Sequence, residues 1–329
     1  MDVQLLLREY AAGNRNFAGA NLIGCNLSGI NLSGVNLQEA SLARADLSRT
    51  NLIGANLNHA FMYGTDLSFA KLTEANLSEA DLTKANLKGA ILSKSYLIGA
   101  KLSGAILSGV NLYFAQLRGV NLCGADLRDI NLRSADLREA KLSWANLSGA
   151  KLSGALLQGA MLNGVKFNYA YLNGINLQGF DLDGVDFSYA KMSKINLSDA
   201  NLTASNLSEA KMRLAIMPRA NLCGANLYKT NLNKADLQAA NLSKADLTEA
   251  DLQEANLKEA NLNLACLYQT NFHRSKLYKA YFWGAKLNVT LMQGADLREA
   301  SLRGADLQGA NLQNAILTGA TMPDGSIHS

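Results

Sequence analysis

The stretch that decides the fold is Ala75-Asn76-Leu77-Ser78-Glu79-Ala80-Asp81-Leu82-Thr83-Lys84, which is one five-residue unit written twice. In each unit Ala is followed by Asn or Asp, then by Leu, then by two variable residues. Leu, Phe or Met occupies every fifth position from Phe17 to Met322, which gives 62 consecutive positions without an insertion. We call these positions centres. A fixed period of this kind indicates a repeat architecture.

A period of five excludes the two regular secondary structures for this segment. An α-helix turns about 100° per residue, so centres five residues apart would be spread around its circumference. In a flat strand, successive side chains point to opposite faces, and an odd period would send alternate centres to opposite sides. The chain must therefore turn once per repeat, so that every centre points to a common axis. That arrangement is a solenoid.

The repeat Ala-Asn/Asp-Leu-x-x, seen again in Ala235-Asp236-Leu237-Gln238-Ala239, resembles the pentapeptide-repeat family. The resemblance covers residues 15–324. It implies an all-β fold, a right-handed quadrilateral β-helix in which each coil consists of four repeats. The 62 repeats would then form about 15.5 coils, and a spacing of about 4.8 Å between coils gives a length of roughly 75 Å.

Each position within the repeat has a physical role in this fold. The centre and the Ala two residues before it fill the narrow axis. Asn and Asp, one residue before the centre, form local hydrogen bonds to turn backbone. Gly recurs two residues after the centre, as at Gly24 and Gly104, where a tight turn tolerates it best.

The two ends depart from the repeat, which predicts a helical cap over residues 1–14, a continuous solenoid over 15–324 and a tail over 325–329. Asp2 is a suitable N-cap and Gly13 can end the helix. Four apolar residues between them share one helix face: Val3, Leu6, Leu7 and Tyr10. The alternative for this segment is a frayed tail. At the other end, Pro323-Asp324-Gly325 predicts a turn.

The terminal sequences also resemble those of cyanobacterial pentapeptide-repeat proteins, including regulators of heterocyst differentiation. The matching segments are residues 6–17, which begin Leu6-Leu7-Arg8-Glu9-Tyr10, and residues 322–328, which begin Met322-Pro323-Asp324-Gly325-Ser326. The resemblance implies a role in cell differentiation that is exerted by binding a regulatory protein, such as a transcriptional regulator.

Composition argues against several other classes of protein. The N-terminus lacks the pattern of a signal peptide, and no apolar run approaches the roughly 20 residues that span a bilayer, so we expect a cytoplasmic protein without membrane contact. The net charge of +4 is distributed along the chain and not clustered, so nucleic acid is not the expected partner.

No catalytic set is recognisable, and we expect neither an enzyme nor a cofactor or metal. His59 and His273 would lie about ten coils apart in the solenoid and could not share a site. The four cysteines, Cys25, Cys123, Cys223 and Cys266, lack a CxxC pairing and are expected to be reduced.

Large side chains interrupt the pattern of small and polar residues most often between residues 144 and 191, which marks a candidate partner surface. A basic ladder of Lys151, Lys191 and Lys211 with Tyr171 adjoins it. The candidate surface comprises Trp144, Leu156, Met161, Tyr169, Tyr171, Tyr189, Lys191 and Lys211. Tyr169 and Tyr189 are four repeats apart and should lie directly above one another. The alternative is local repacking, in which rings cover turn glycines such as Gly164.

The sequence thus favours a non-catalytic protein-interaction rod. One alternative is a DNA mimic that binds a type II topoisomerase, as some members of this family are, but that role needs a strongly negative surface and the net charge is positive. The other is a purely structural scaffold.

Overall fold

A computed structural model describes residues 2–329, which fall into two compact units that divide between Lys166 and Phe167. Apart from one helix and Ile327, the regular structure consists of strands one residue long, each immediately before a centre. Parallel bridges join these strands from Asn16↔Asn36 to Asn146↔Lys166 in the first unit, and from Tyr171↔Lys191 to Ser301↔Thr321 in the second. Each parallel bridge links residues four repeats apart. The predicted coil of four repeats is therefore confirmed within each unit, and each unit is a β-solenoid.

Each repeat combines one tight turn with hydrogen bonds between coils. Thr50 N donates to Leu47 O at 3.2 Å and closes the turn, while Leu47 N donates to Asp66 O in the next coil at 2.7 Å. Asp66 N in turn donates to Ala45 O at 3.0 Å. The same pattern recurs from coil to coil, so the backbone polar groups that a turn in every repeat would otherwise leave unpaired are satisfied.

The core of each unit consists of the centres and of the small residues two positions before them. Centres from Phe17 to Leu302 are buried, as predicted. In the second unit the buried rings of Phe167 and Phe187 stack with their centroids 5.3 Å apart and an angle of 4° between their planes. Centres in the last coil are only partly buried. They are Leu307, Leu312, Leu317 and Met322.

The residue two positions after the centre has a left-handed backbone conformation, which explains why Gly recurs there. Many other residue types nevertheless occupy this position, including Lys244 with φ +58° and Val289 with φ +58°. A left-handed conformation costs an ordinary L-residue about 1 kcal/mol or more. Hydrogen bonds between coils and burial of the core residues therefore offset the backbone strain at these turns.

Asn and Asp before the centre bond to turn backbone, as predicted. Asn36 Oδ1 accepts from Gln38 N at 3.1 Å. Asn36 also donates through Nδ2 to Asn16 Oδ1 at 2.9 Å and accepts from Asn56 Nδ2 at 3.0 Å, one coil away in each direction. These side chains thus form a ladder of their own between successive coils.

The N-terminal segment forms helix α1, Val3–Ala11. Leu6 is fully buried, and Tyr10 Oη donates to Ser33 O in the first coil at 2.8 Å, so the helix packs against the solenoid. Asp2 occupies the predicted N-cap position, although it makes no side-chain capping hydrogen bond. Its backbone O accepts from Leu6 N at 3.1 Å instead. Packing of Leu6 and the Tyr10 bond hold the helix in place.

The C-terminal residues fold back as a short hairpin. Thr321 and Ile327 form an antiparallel bridge, and the segment between them turns through Pro323 and Gly325, the latter with φ +90°. Met322 N donates to Ser326 O at 2.7 Å within the hairpin. None of the helices in residues 2–329 is both long enough and apolar enough to cross a membrane.

Candidate functional site

Trp144 and Met161 lie in consecutive coils of the first unit. Trp144 is 75% exposed, and its backbone N donates to Asn163 O at 2.9 Å. Its indole lies over Gly164 so closely that a Cβ at that glycine would collide with the ring. Met161 forms a bridge with Lys141 on the same side of the coil and is also exposed. The ring both covers a turn glycine and leaves most of its surface open to solvent.

The other candidate residues of the first unit are not part of this patch. Leu156 is exposed but bridges Asp136, and Lys151 bridges Asn131, so neither lies on the ladder that joins Lys141 to Met161. The sequence grouped Leu156 with Met161 because they are close along the chain. A turn in every repeat sends consecutive repeats to different sides of the coil.

Tyr169 and Tyr189 form a stacked pair on the surface of the second unit. Their ring centroids are 4.9 Å apart and their planes meet at 6°, which confirms the predicted placement. We call them the tyrosine pair. Tyr169 is 55% exposed. A hydrogen bond with the Glu209 carboxylate, together with its negative charge, raises the pKa of the Tyr189 hydroxyl.

A ladder of Tyr171, Lys191 and Lys211 runs beside the tyrosine pair. Bridges join Tyr171 to Lys191 and Lys191 to Lys211. Lys191 Nζ lies 4.4 Å from the centroid of the Tyr171 ring and donates to its hydroxyl at 3.4 Å. Only Ala190 separates Tyr189 from Lys191 in the sequence, so the tyrosine pair, at the turn of one repeat, adjoins the ladder that the next repeat carries.

Sequence reasoning missed two further cations on this surface, Lys194 and Arg213, both exposed. They lie two and one residues after their centres on the coils that carry Lys191 and Lys211. The register of four repeats per coil was the signal that could have found them, because it places positions 191–194 beside positions 211–214.

The first unit also has an open depression of about 400 Å³. Its lining residues are Asn111, Tyr113, Asn131, Arg133, Ser134 and Ser153. Its charged member, Arg133, donates through Nε to Asn131 Oδ1 at 3.0 Å, and its guanidinium lies 6.0 Å from the centroid of the Tyr113 ring. Arg133 is therefore already engaged by neutral neighbours.

Charged side chains elsewhere pair along the surface. Arg138 Nε donates to Asp136 Oδ1 at 2.8 Å, two residues away, and this bond lowers the pKa of the Asp136 carboxyl. Over residues 2–329, no group of three or more His, Cys, Asp or Glu side chains is arranged to hold a metal ion. The four cysteines are free thiols.

Comparison with known proteins agrees with the repeat pattern. The family model described as Pentapeptide repeats (8 copies) matches residues 16–109, 115–179 and 181–319. No curated protein matches the chain.

Several solved structures are similar to this chain. HetL, a pentapeptide-repeat protein involved in heterocyst differentiation regulation from the cyanobacterium Nostoc sp. strain PCC 7120, is 31% identical over 100% of both chains, with a TM-score of 0.20. Rfr23 from the cyanobacterium Cyanothece 51142 is 26% identical over 51% of this chain and 100% of its own, with a TM-score of 0.23.

QnrB1, a plasmid-mediated fluoroquinolone resistance protein, is 17% identical over 62% of this chain and 89% of its own, with a TM-score of 0.34. The family model covers most of the chain, and its repeats are those whose centres form the cores of both units. The chain belongs to the pentapeptide-repeat family.

Proposed function

We propose that this protein is a non-catalytic interaction scaffold of the cytoplasm that binds a protein partner through the second unit. The observation that supports the proposal is the tyrosine pair, two exposed aromatic rings stacked at 4.9 Å beside Tyr171 and Lys191. Tyrosine is one of the residues that most often dominate binding energy at protein interfaces.

The pair is suited to binding because its rings are fixed before a partner arrives. Stacking restricts both rings, so little side-chain freedom remains to be lost when a partner covers them. Tyr169 and Tyr189 also have φ of +60° and +59°, a conformation in which Gly is the favoured residue. Many other non-glycine residues occupy the same position in this chain, so the turn accommodates both tyrosines without requiring them.

The more specific form of the proposal concerns the whole chain. We take it to be the family's right-handed, four-sided coil, continuous over about 15.5 coils from its 62 repeats. The likeness of its two termini to those of heterocyst-differentiation regulators further suggests that the partner is a regulatory protein, such as a transcriptional regulator. Regulation of cyanobacterial cell differentiation would be the physiological role.

The test is affinity capture from a cyanobacterial lysate with immobilised protein. Wild type is compared with a Tyr169→Ser/Tyr189→Ser variant and with a control, Tyr96→Ser/Tyr281→Ser, which removes two exposed tyrosines from other ladders. We expect one protein to be retained by wild type and by the control and to be lost with the first variant.

The identity of the captured protein separates the alternatives. A transcriptional regulator would support the differentiation role, whereas a type II topoisomerase would favour a DNA mimic. If wild type and both variants captured the partner equally well, the tyrosine pair would not be part of the binding interface. If no specific protein were retained, the interaction role would be wrong and a purely structural scaffold would be favoured.

A further inference from the structure

We infer that Lys191, Lys194, Lys211 and Arg213, called here the basic cluster, bind a short acidic segment of a protein partner. This inference rests on the proposed interaction role and adds the chemistry of the partner. All four side chains are exposed on two consecutive coils of the second unit. The bridge between Lys191 and Lys211 places two of the like charges directly one above the other.

The coil register leaves the basic cluster without carboxylates of its own. Three other lysines of the second unit that lie two residues after a centre pair with a glutamate one coil further on: Lys229–Glu249 and Lys234–Glu254 at 3.3 Å, and Lys279–Glu299 at 3.5 Å. Lys244 does not, because Leu264 stands one coil on. The residue at that place for Lys194 is Leu214.

The other three members of the basic cluster also lack an acidic neighbour one coil away. The residues four repeats before and after them are Tyr171, Ser193, Asn231 and Asn233, together with Lys191 and Lys211 themselves. Like charges opposite each other destabilise a ladder unless a counter-charge is supplied. Among the described residues, no member of the basic cluster forms a salt bridge with a carboxylate, so the counter-charge would come from outside the chain.

Three acids lie within five residues of the basic cluster in the sequence, and each has other partners. Asp186 accepts from Ser188 N at 3.0 Å and from Asn206 Nδ2 at 3.2 Å. Asp199 accepts from Arg219 Nε at 2.7 Å and from Nη2 at 2.9 Å, and the Glu209 carboxylate bonds the Tyr189 hydroxyl. The Tyr189 hydroxyl does not neutralise Glu209, but the four cations of the basic cluster outnumber the neighbouring carboxylates that lack a cationic partner. The basic cluster therefore keeps a net positive charge, next to the Tyr171 ring. Arg213 adds a planar donor fork that matches a carboxylate in geometry.

The extent of the basic cluster favours an acidic peptide segment over nucleic acid. Nucleic-acid binding depends on many cations along a phosphate backbone, whereas the basic cluster ends within two coils, where Asn231 and Asn233 follow. The second unit as a whole has no net positive charge, with fifteen Lys and Arg and fifteen Asp and Glu between residues 167 and 329. Two or three carboxylates on one short segment would neutralise the basic cluster.

The test measures binding of a fluorescent hexaglutamate peptide to the purified full chain by anisotropy at low salt. A hexaglutamine peptide and a six-nucleotide single-stranded DNA are the comparison probes. The first variant, Lys191→Gln/Lys211→Gln, removes two charges from the basic cluster. The matched control, Lys234→Gln/Lys279→Gln, removes two lysines that pair with Glu254 and Glu299 in the same unit.

We expect hexaglutamate to bind better than hexaglutamine, and the first variant to weaken its binding about tenfold while the control changes it less than about twofold. Equal weakening by both variants, or no preference for hexaglutamate, would overturn the inference. If the DNA bound more tightly than hexaglutamate, and the Lys191→Gln/Lys211→Gln variant lost that binding, the ligand of the basic cluster would be nucleic acid and not an acidic segment. If the wild-type protein captured a partner from lysate but did not bind hexaglutamate, the inference of an acidic segment would be wrong. The proposed interaction role would still hold.

Discussion

Tyr169 stacks on Tyr189 outside the coil, with ring centroids 4.9 Å apart and planes at 6°. Two residues earlier in each repeat, Phe167 stacks on Phe187 inside it, at 5.3 Å and 4°. The same register of four repeats per coil therefore produces both a buried and an exposed aromatic stack. The inner pair belongs to the core of the second unit, whereas the outer pair is open to solvent and available to a partner.

The outer stack should contribute measurable stability of its own. In a double-mutant cycle of Tyr169→Ser and Tyr189→Ser, we expect a coupling free energy of about 0.5–1.5 kcal/mol, because parallel aromatic rings at this distance attract beyond the area they bury. Denaturant unfolding of the four proteins measures it. Additive effects of the two substitutions would show that the rings do not interact in solution.

At the left-handed turn position, two substitutions of the same residue should change the free energy of unfolding in opposite directions. Lys244 has φ +58° and takes part in no ion pair among the described residues. We expect Lys244→Gly to raise the free energy of unfolding by about 1 kcal/mol and Lys244→Val to lower it, because a β-branched residue is strained there and glycine is not. Thermal unfolding of both variants checks the order. A valine variant as stable as the glycine variant would contradict the backbone assignment.

The core contains one buried hydroxyl that the described residues leave unpaired, Ser275 Oγ. We expect Ser275→Ala to raise the free energy of unfolding by about 1 kcal/mol, because it removes an unsatisfied polar group. Ser205→Ala is the matched control, since Ser205 Oγ donates to Leu202 O at 2.8 Å, and it should be destabilising. Chemical denaturation distinguishes them, and a loss of stability in both would point to a partner for Ser275.

Acid should weaken the first unit partly through Asp136. The hydrogen bond from Arg138 lowers the pKa of this carboxyl in the folded protein. A depressed pKa adds stability above the unfolded value of about 3.9, and that stability is lost as the pH falls through the folded pKa. Arg138→Gln should therefore make acid unfolding begin at a higher pH, as followed by circular dichroism.

The control for that experiment is Arg133→Gln. Arg133 bonds Asn131, which does not titrate, through Nε at 3.0 Å. The onset of acid unfolding should not move in this variant. An equal shift in both variants would mean that the loss of an arginine, and not the pairing with Asp136, determines the result.

Much of the fold was predictable because each feature repeats. A single Leu in every repeat of five excludes helix and flat strand, and the family resemblance supplies the coil of four repeats that places Tyr169 below Tyr189. The sequence could not show that Leu307 is partly exposed, because its repeat reads like those of buried centres. Burial there depends on whether another coil follows, which is not a property of the repeat.

The candidate site was only partly predictable. Tyr171, Lys191 and Lys211 lie on one ladder as expected, because each is one whole coil from the next. Leu156 was grouped with Met161 by proximity in sequence, yet the two lie on different ladders. Lys194 was missed because a lysine at the turn position is ordinary in this chain. What distinguishes it is the combination of Leu214 one coil on with three cationic neighbours on the same two coils, Lys191, Lys211 and Arg213.

The most direct test of the interaction role is site-specific photo-crosslinking with benzoylphenylalanine in place of Tyr189, and in place of Lys244 as a control, in cyanobacterial lysate. We predict that the probe at position 189 crosslinks one specific protein in high yield and that the probe at position 244 does not. Identical crosslinking from both positions, or none from position 189, would contradict the claim that this surface binds a protein partner.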